Sequence, residues 1–207
     1  MPAARGSTWI CLIRIWHCYP QSAGASTTWR WRWHSNSSKP APSVTQNFDR
    51  LLHRLADSGL DFVIIGGFAA VTHGSMLMTR DLDICVLLTD ETVEKLRSTL
   101  ADWHPKHRMT PQKLSFLEFP KAGPVQNLYL ETDFGVVDIL TSVLGVGDFP
   151  RLRNSAEAFE IGGRTYRVIS LEDLIIAKEA VGREKDMLAV KELRAIAAKR
   201  AQGETCV

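Results

Sequence analysis

No run of about 18 consecutive apolar residues occurs in the 207-residue sequence, so a membrane-spanning helix is not expected. Cysteine is scarce. The four cysteines, Cys11, Cys18, Cys85 and Cys206, do not have the spacing of a disulfide framework. Cys11 and Cys18 with nearby His17 make a poor zinc pattern, because no second ligand pair follows. Reduced thiols in a cytoplasmic protein are the simpler expectation. No internal repeat is visible, which sets aside repeat architectures. Acid is missing altogether from residues 1–40, which hold five basic groups, Arg5, Arg14, Arg30, Arg32 and Lys39. The rest of the chain carries 20 basic and 23 acidic groups, so the formal charge of +2 joins two unlike parts. Apolar residues make up 45% and charged residues 23%, which fits a globular chain and excludes a wholly disordered one.

Five of the six tryptophans also lie in the first 40 residues. Arg5 and the run from Trp9 to Trp16 imitate a signal peptide weakly, but Arg14 interrupts the apolar core. Trp29-Arg30-Trp31-Arg32-Trp33 pairs cationic heads with amphipathic rings, as a membrane interface or nucleic acid would use. With no acid or helix cap nearby, an unstructured extension is the plainer reading. Ser35 to Ser43, with Pro40 and Pro42, reads as linker. The expected organisation is an extension over 1–43, one domain over 44–200 and a tail over 201–207.

Within the domain, Val44 to Ser58 has helical spacing of its apolar residues Val44, Phe48, Leu51, Leu52 and Leu55, stopped by Gly59. Phe62 to Ile65 reads as a short buried strand, and a helix is expected from Phe68 to His73. Leu82 to Leu88 reads as a strand, and Thr89 caps a helix over 90–101 whose first turn is acidic. Leu114 to Phe119 has strand composition. Asn127 to Glu131 and Val136 to Leu140 predict a hairpin, and Phe159 to Ile169 a second one around Gly162-Gly163. Ser170 caps a helix broken by Gly182, and a last helix runs over about 184–199. The order predicts an α/β or α+β fold: a mixed sheet flanked by helices, with a C-terminal helical pair.

Three features point to chemistry. Gly66-Gly67 sits between a buried strand and a helix, where bare backbone can approach a phosphate and helix N–H groups are free. Many strand–helix turns contain Gly-Gly, so this feature alone is weak. Asp81-Leu82-Asp83 puts two carboxylates on one face of a strand, with Leu82, Ile84 and Val86 directed to the core. Such neighbours repel unless a cation lies between them, and hard oxygen ligands suit Mg²⁺. A solvated strand edge would carry the same pattern. Asp138 interrupts the apolar run Val136 to Leu140, which is costly unless the acid is paired, binds metal or faces water.

Taken together, these residues resemble the nucleotidyltransferase superfamily of DNA polymerase β. The matching motif reads Ile65-Gly66-Gly67, a spacer, then Thr79-Arg80-Asp81-Leu82-Asp83-Ile84, with the first Asp fourteen residues after Gly67. The segment from Val168 to Asp186, with Lys178 and Arg183-Glu184-Lys185-Asp186, is similar to the C-terminal motif of small bacterial members, including AbiEii-type abortive-infection toxins. The pattern departs at Leu77, where many members have arginine, and at Ala189, where those toxins often have an acid. The resemblance covers about residues 45–198.

The resemblance implies a nucleotidyltransferase fold and transfer of an NMP from an NTP to an acceptor hydroxyl. Asp81, Asp83 and Asp138 would bind Mg²⁺ (or Mn²⁺), and Asp138 would draw off the acceptor proton. Gly66 and Gly67 would bind the triphosphate, beside Thr79 and Arg80. Lys178 would neutralise phosphate charge. Arg183, Lys185 and Asp186 would bind nucleotide or acceptor, or pair with one another between the last helices. His73 would line the nucleotide pocket or serve structure. The resemblance allows a tRNA end, a protein or a small molecule as acceptor, and a cognate antitoxin as partner. The net acidity of the domain disfavours a strongly electrostatic nucleic-acid surface. Two rivals remain at this stage: a non-catalytic nucleotide-binding module, and a glycosyltransferase, in which Asp-x-Asp holds a metal–nucleotide-sugar.

Overall fold

The computed structural model describes residues 17–21, 28–32, 44–119 and 125–202. The chain begins with strands β1 (His17–Gln21) and β2 (Thr28–Arg32), then helix α1 (Val44–Asp57). Strand β3 (Val63–Ile65), helix α2 (Gly66–His73), strand β4 (Asp81–Cys85) and helix α3 (Asp90–Leu100) follow. Next come strands β5 (Lys106–His107), β6 (Leu128–Thr132) and β7 (Gly135–Leu140). A small ribbon, β8 (Ser142–Val143) and β9 (Gly147–Asp148), leads into helix α4 (Phe149–Ser155). The chain closes with β10 (Glu157–Ile161), β11 (Arg164–Val168), α5 (Leu171–Val181) and α6 (Glu184–Ala201).

Among the described residues, nine strands form one mixed sheet in the order β1-β2-β10-β11-β3-β4-β7-β6-β5. Its centre is β3, β4 and β7: β3 and β4 run antiparallel, β4 and β7 parallel. Among the described residues six helices flank the sheet, five of them at the places the sequence predicts. One core unites the sheet with Leu51, Leu52 and Leu55 of α1, Val93 and Leu96 of α3, and Leu193 and Ile196 of α6. In β4 the burial alternates as the pleat requires: Leu82 and Ile84 are fully buried, while Asp81 and Asp83 stand on the other face. Val86 follows them into the core.

The caps act where the sequence places them. The Thr89 hydroxyl accepts from the Thr92 amide, and the Ser170 hydroxyl accepts from the Asp173 amide. Among the described residues, no helix is long and apolar enough to cross a membrane.

Four stretches differ from the sequence reading. Leu114 to Phe119 is not a strand; it makes turns, with one isolated bridge between Ser115 and Lys106. Only Phe116 of that run is fully buried, so the segment needs no second apolar position in register. Helix α4 was not expected, although Asp148 caps it through the Arg151 amide and Pro150 sits in its first turn. Helix α2 starts two residues early, so Gly66-Gly67 forms its first turn. Finally, β1 and β2 lie inside the stretch read as an extension, and β2 runs parallel to β10 at the sheet margin. The Trp-Arg alternation of Thr28–Arg32 has the strand period of two, a signal that the cation–aromatic reading passed over.

Candidate active site

Register alone brings the acids together. In the β4–β7 pair, Asp83 lies directly opposite Asp138, and Asp81 stands one pleat away on the same face. Tyr129 of β6 is the cross-strand neighbour of Asp138 on its other side. Asp138 is 8% exposed, although Val137 and Ile139 beside it are fully buried. Burial, then the facing Asp138 carboxylate, then Asp81, push the Asp83 carboxyl up to about 6. Burial also raises Asp138, against the opposing pull of Arg108. A face on which Asp138 and Asp81 both oppose the charge on Asp83 is a place built for positive charge.

The two glycines fit that face closely. Gly66 has φ +66, and a Cβ there would lie 2.0 Å from Oδ2 of Asp83. A Cβ on Gly67 would lie 2.5 Å from the Thr79 hydroxyl. The Gly67 amide donates to Asp83 Oδ2 over 3.4 Å. The pair of glycines therefore lets the start of α2 sit against Asp83 and Thr79, with the Gly67 amide turned toward the Asp83 carboxylate. Thr79 Oγ1 also donates to the Asp81 carbonyl at 3.2 Å. Arg80 is exposed beside it.

Helices α5 and α6 bring the basic groups. Lys178 lies near enough to Asp83 to lower its pKa, and Asp83 in turn acts on Arg183. Both cations are tied to Asp186, which is 1% exposed: Lys178 Nζ at 3.2 Å and Arg183 Nε at 2.6 Å. Burial alone would raise Asp186, but the hydrogen bonds from Arg183 and Lys178 outweigh it and hold the carboxyl below its usual range. Of the two roles read from sequence, the structure shows the pairing: Asp186 joins Lys178 across the two helices and Arg183 at the start of α6, at the edge of the acidic face. Lys185 is exposed on α6.

His73 is not part of that face. It is 2% exposed and bonds Ile169 O through Nε2 at 2.7 Å, while Arg200 Nη2 approaches Nδ1 at 3.1 Å. Arginine can only donate, so Nδ1 accepts and the proton sits on Nε2. Burial pushes this histidine down to about 4, leaving it a neutral structural residue. Cys85 is no nucleophile, because burial pushes its thiol up to about 12.

Arg108 was not singled out from sequence. It follows β5 and grips Asp138 with two prongs: Nε donates to Oδ1 at 3.1 Å, and Nη2 donates to Oδ2. Asp81 and Asp83 add to the field on it. Its guanidinium lies 5.6 Å from the centre of the Tyr129 ring. Nothing in the local pattern of residues 103–119 marks it.

Among the described residues, no group of three His, Cys, Asp or Glu side chains is gathered closely enough to hold a metal ion as it stands. The donor set itself, three carboxylates on one face, is the hard-oxygen chemistry that Mg²⁺ takes. In this conformation a guanidinium occupies both oxygens of one of them.

By sequence, the chain matches no protein-family model and no curated protein. By structure, it is similar to the lincosamide antibiotic adenylyltransferase LnuA in its lincomycin-bound form. The TM-score is 0.51 at 16% identity, over 73% of this chain and 96% of that one. The chain has the nucleotidyltransferase fold. Weaker likenesses are to a candidate nucleotidyltransferase of Thermotoga maritima, with TM-score 0.46 at 17% identity over 71% of this chain and 92% of that one. The antibiotic-resistance factor ANT(2'')-Ia follows, with TM-score 0.41 at 15% identity over 77% and 95%. In this nucleotidyltransferase fold, Asp81, Asp83 and Asp138 stand on the two parallel central strands, and Lys178 and Arg183, at the C-terminal helical pair, lie close enough to Asp83 to interact with its charge.

Proposed function

We propose that the protein is a metal-dependent nucleotidyltransferase that moves an NMP from an NTP to a hydroxyl of a small-molecule acceptor. The observation that carries this is the register of β4 and β7, which sets Asp83 opposite Asp138 with Asp81 on the same face. Asp81, Asp83 and Asp138 would hold Mg²⁺ (or Mn²⁺), which when bound offsets triphosphate charge and makes the acceptor hydroxyl more acidic. The first turn of α2, at Gly66 and Gly67, offers backbone amides to phosphate oxygens. Lys178 and Arg183, held at the rim by Asp186, balance the charge that passes to the leaving pyrophosphate. Thr79 and Arg80 border the same turn. The acceptor oxygen attacks the α-phosphorus, the bond to the β-phosphate bridging oxygen breaks, and pyrophosphate leaves. The acceptor proton passes to Asp138, the carboxylate that shares this face with Asp83 and Asp81.

A small acceptor is favoured over RNA by charge: residues 41–207 carry fewer basic than acidic groups. The structural neighbour LnuA, bound to lincomycin, supports the same class. A toxin role with a cognate antitoxin rests on the Val168 to Asp186 motif alone. The experiment is incubation of the protein with each α-labelled NTP and Mg²⁺ against separate panels of hydroxylated small molecules, total RNA and protein lysate. Label on a small molecule supports the proposal. Label on RNA or protein keeps the chemistry and overturns the acceptor class. NTP binding without label transfer anywhere would favour a non-catalytic module, the reading that the Arg108 grip on Asp138 lends some weight.

A further inference from the structure

The acidic face already holds a positive charge. Arg108 takes both carboxylate oxygens of Asp138, the geometry in which a guanidinium binds a carboxylate best. This is the same carboxylate that a divalent ion would share with Asp83 across the register. While the fork holds both oxygens, an arriving cation has to compete with the guanidinium for them. We infer that Arg108 is a resting counter-ion that occupies the cation's share of Asp138, so that metal entry and release of the Arg108–Asp138 pair are one event. This rests on the reading of Asp138 as a metal ligand given above.

The surroundings suit an arm that swings without moving the chain. The Arg108 amide is fixed to the Tyr129 carbonyl at 2.9 Å. The loop after it closes on itself: the His107 amide donates to Leu114 O at 2.8 Å, and the Thr110 hydroxyl donates to His107 O at 3.0 Å. Thr110 also accepts from the Leu114 amide at 3.2 Å. Only the side chain is left to rotate, and it is 29% exposed and so open to water, while the Asp138 side chain is 11% exposed. The Tyr129 ring face lies within cation–π reach along that route. The trade follows from charge. One guanidinium balances one carboxylate, whereas a divalent ion recruits Asp81 and Asp83 as well and relieves their mutual repulsion. Asp138 is then freed of its resting partner only when an ion is present, which prevents the base from acting before the site is loaded.

The test is Mn²⁺ binding to the nucleotide-free protein, followed by electron paramagnetic resonance titration, for wild type, Arg108→Gln, Arg108→Lys and Asp81→Asn. Arg108→Gln is expected to bind Mn²⁺ roughly tenfold more tightly than wild type, because no partner must be displaced. Arg108→Lys keeps the charge but not the fork and is expected to fall between the two. Asp81→Asn should bind far more weakly than any of them, which places the ion at this face. Arg108→Gln and Arg108→Lys that both match wild type, while Asp81→Asn loses the ion, would overturn the inference and leave the proposed function standing. Tighter binding by Arg108→Gln with Arg108→Lys equal to wild type would also overturn it, because a general field rather than the pair would then be responsible. Absence of any Asp81-dependent Mn²⁺ binding would overturn both.

Discussion

Replacing Asp83 by Asn should make the metal-free protein more stable. The carboxylate is pushed from 3.8 up to about 6, first by burial and then by Asp138 and Asp81. A folded-state pKa above the unfolded one means that the charged group opposes folding. That cost is absent below pH 3.8, grows as pH rises to about 6, and is constant above. For a change from 3.8 to about 6 it comes to about 3 kcal/mol. Asparagine removes the charge and keeps an oxygen for the Gly67 amide, but it gives up the attraction of Lys178. The expected net gain is about 2 kcal/mol at pH 8, or about 4–8 °C in Tm for a chain of this size. The assay is thermal unfolding in EDTA at pH 8 and again near pH 4, with the gain shrinking toward zero at the lower pH. With Mg²⁺ and NTP present the order should reverse, because only wild type gains from the ion. An Asp83→Asn protein no more stable than wild type in EDTA at pH 8 would refute the reasoning, since it would mean that neither burial nor the neighbouring acids make the Asp83 charge costly.

Two further outcomes follow from the geometry. His73, depressed to about 4, binds a proton in the unfolded chain below pH 6.5 but not in the folded one. Wild type should therefore lose on the order of 3 kcal/mol between pH 6.5 and pH 4 that a His73→Gln variant does not lose, read as the difference in urea midpoints at the two pH values. Gly66→Ala should cost at least about 2 kcal/mol and weaken Mn²⁺ binding, because φ +66 and the Asp83 contact both oppose a side chain. Gly163→Ala, at φ +81 with nothing within 4 Å of the added carbon, should pay only the backbone part and leave Mn²⁺ binding alone.

How much of this is legible in the sequence depends on whether the cause is local. The helix over Asp90–Leu100 is announced by its own cap and acidic first turn, and Asp81 and Asp83 by alternation within one strand. Asp138 stands out because it breaks an apolar run. Their convergence needs only that the two strands be neighbours in register, which the resemblance to nucleotidyltransferases anticipates. Arg108 depends instead on a two-residue strand and a self-closing loop that bring it to an acid thirty residues away, and no periodicity marks either. His73 likewise owes its state to Ile169 and Arg200, which are distant in sequence. Helix α4 was legible and missed: Asp148 followed by Pro150 is a helix start in its own right. Trp29 to Arg32 carries two signals at once, a period of two and a cation–aromatic pattern, and only the first agrees with the strand found there.

The proposed role of Asp81, Asp83 and Asp138, on β4 and β7, is to hold the metal for phosphoryl transfer. It is tested most directly by pyrophosphate release from NTP, with acceptor and Mg²⁺, in wild type and in Asp81→Asn. Wild type should release pyrophosphate only when acceptor and Mg²⁺ are both present, and Asp81→Asn should slow it by at least about 100-fold. Release that survives EDTA, or that proceeds undiminished in Asp81→Asn, would contradict the account.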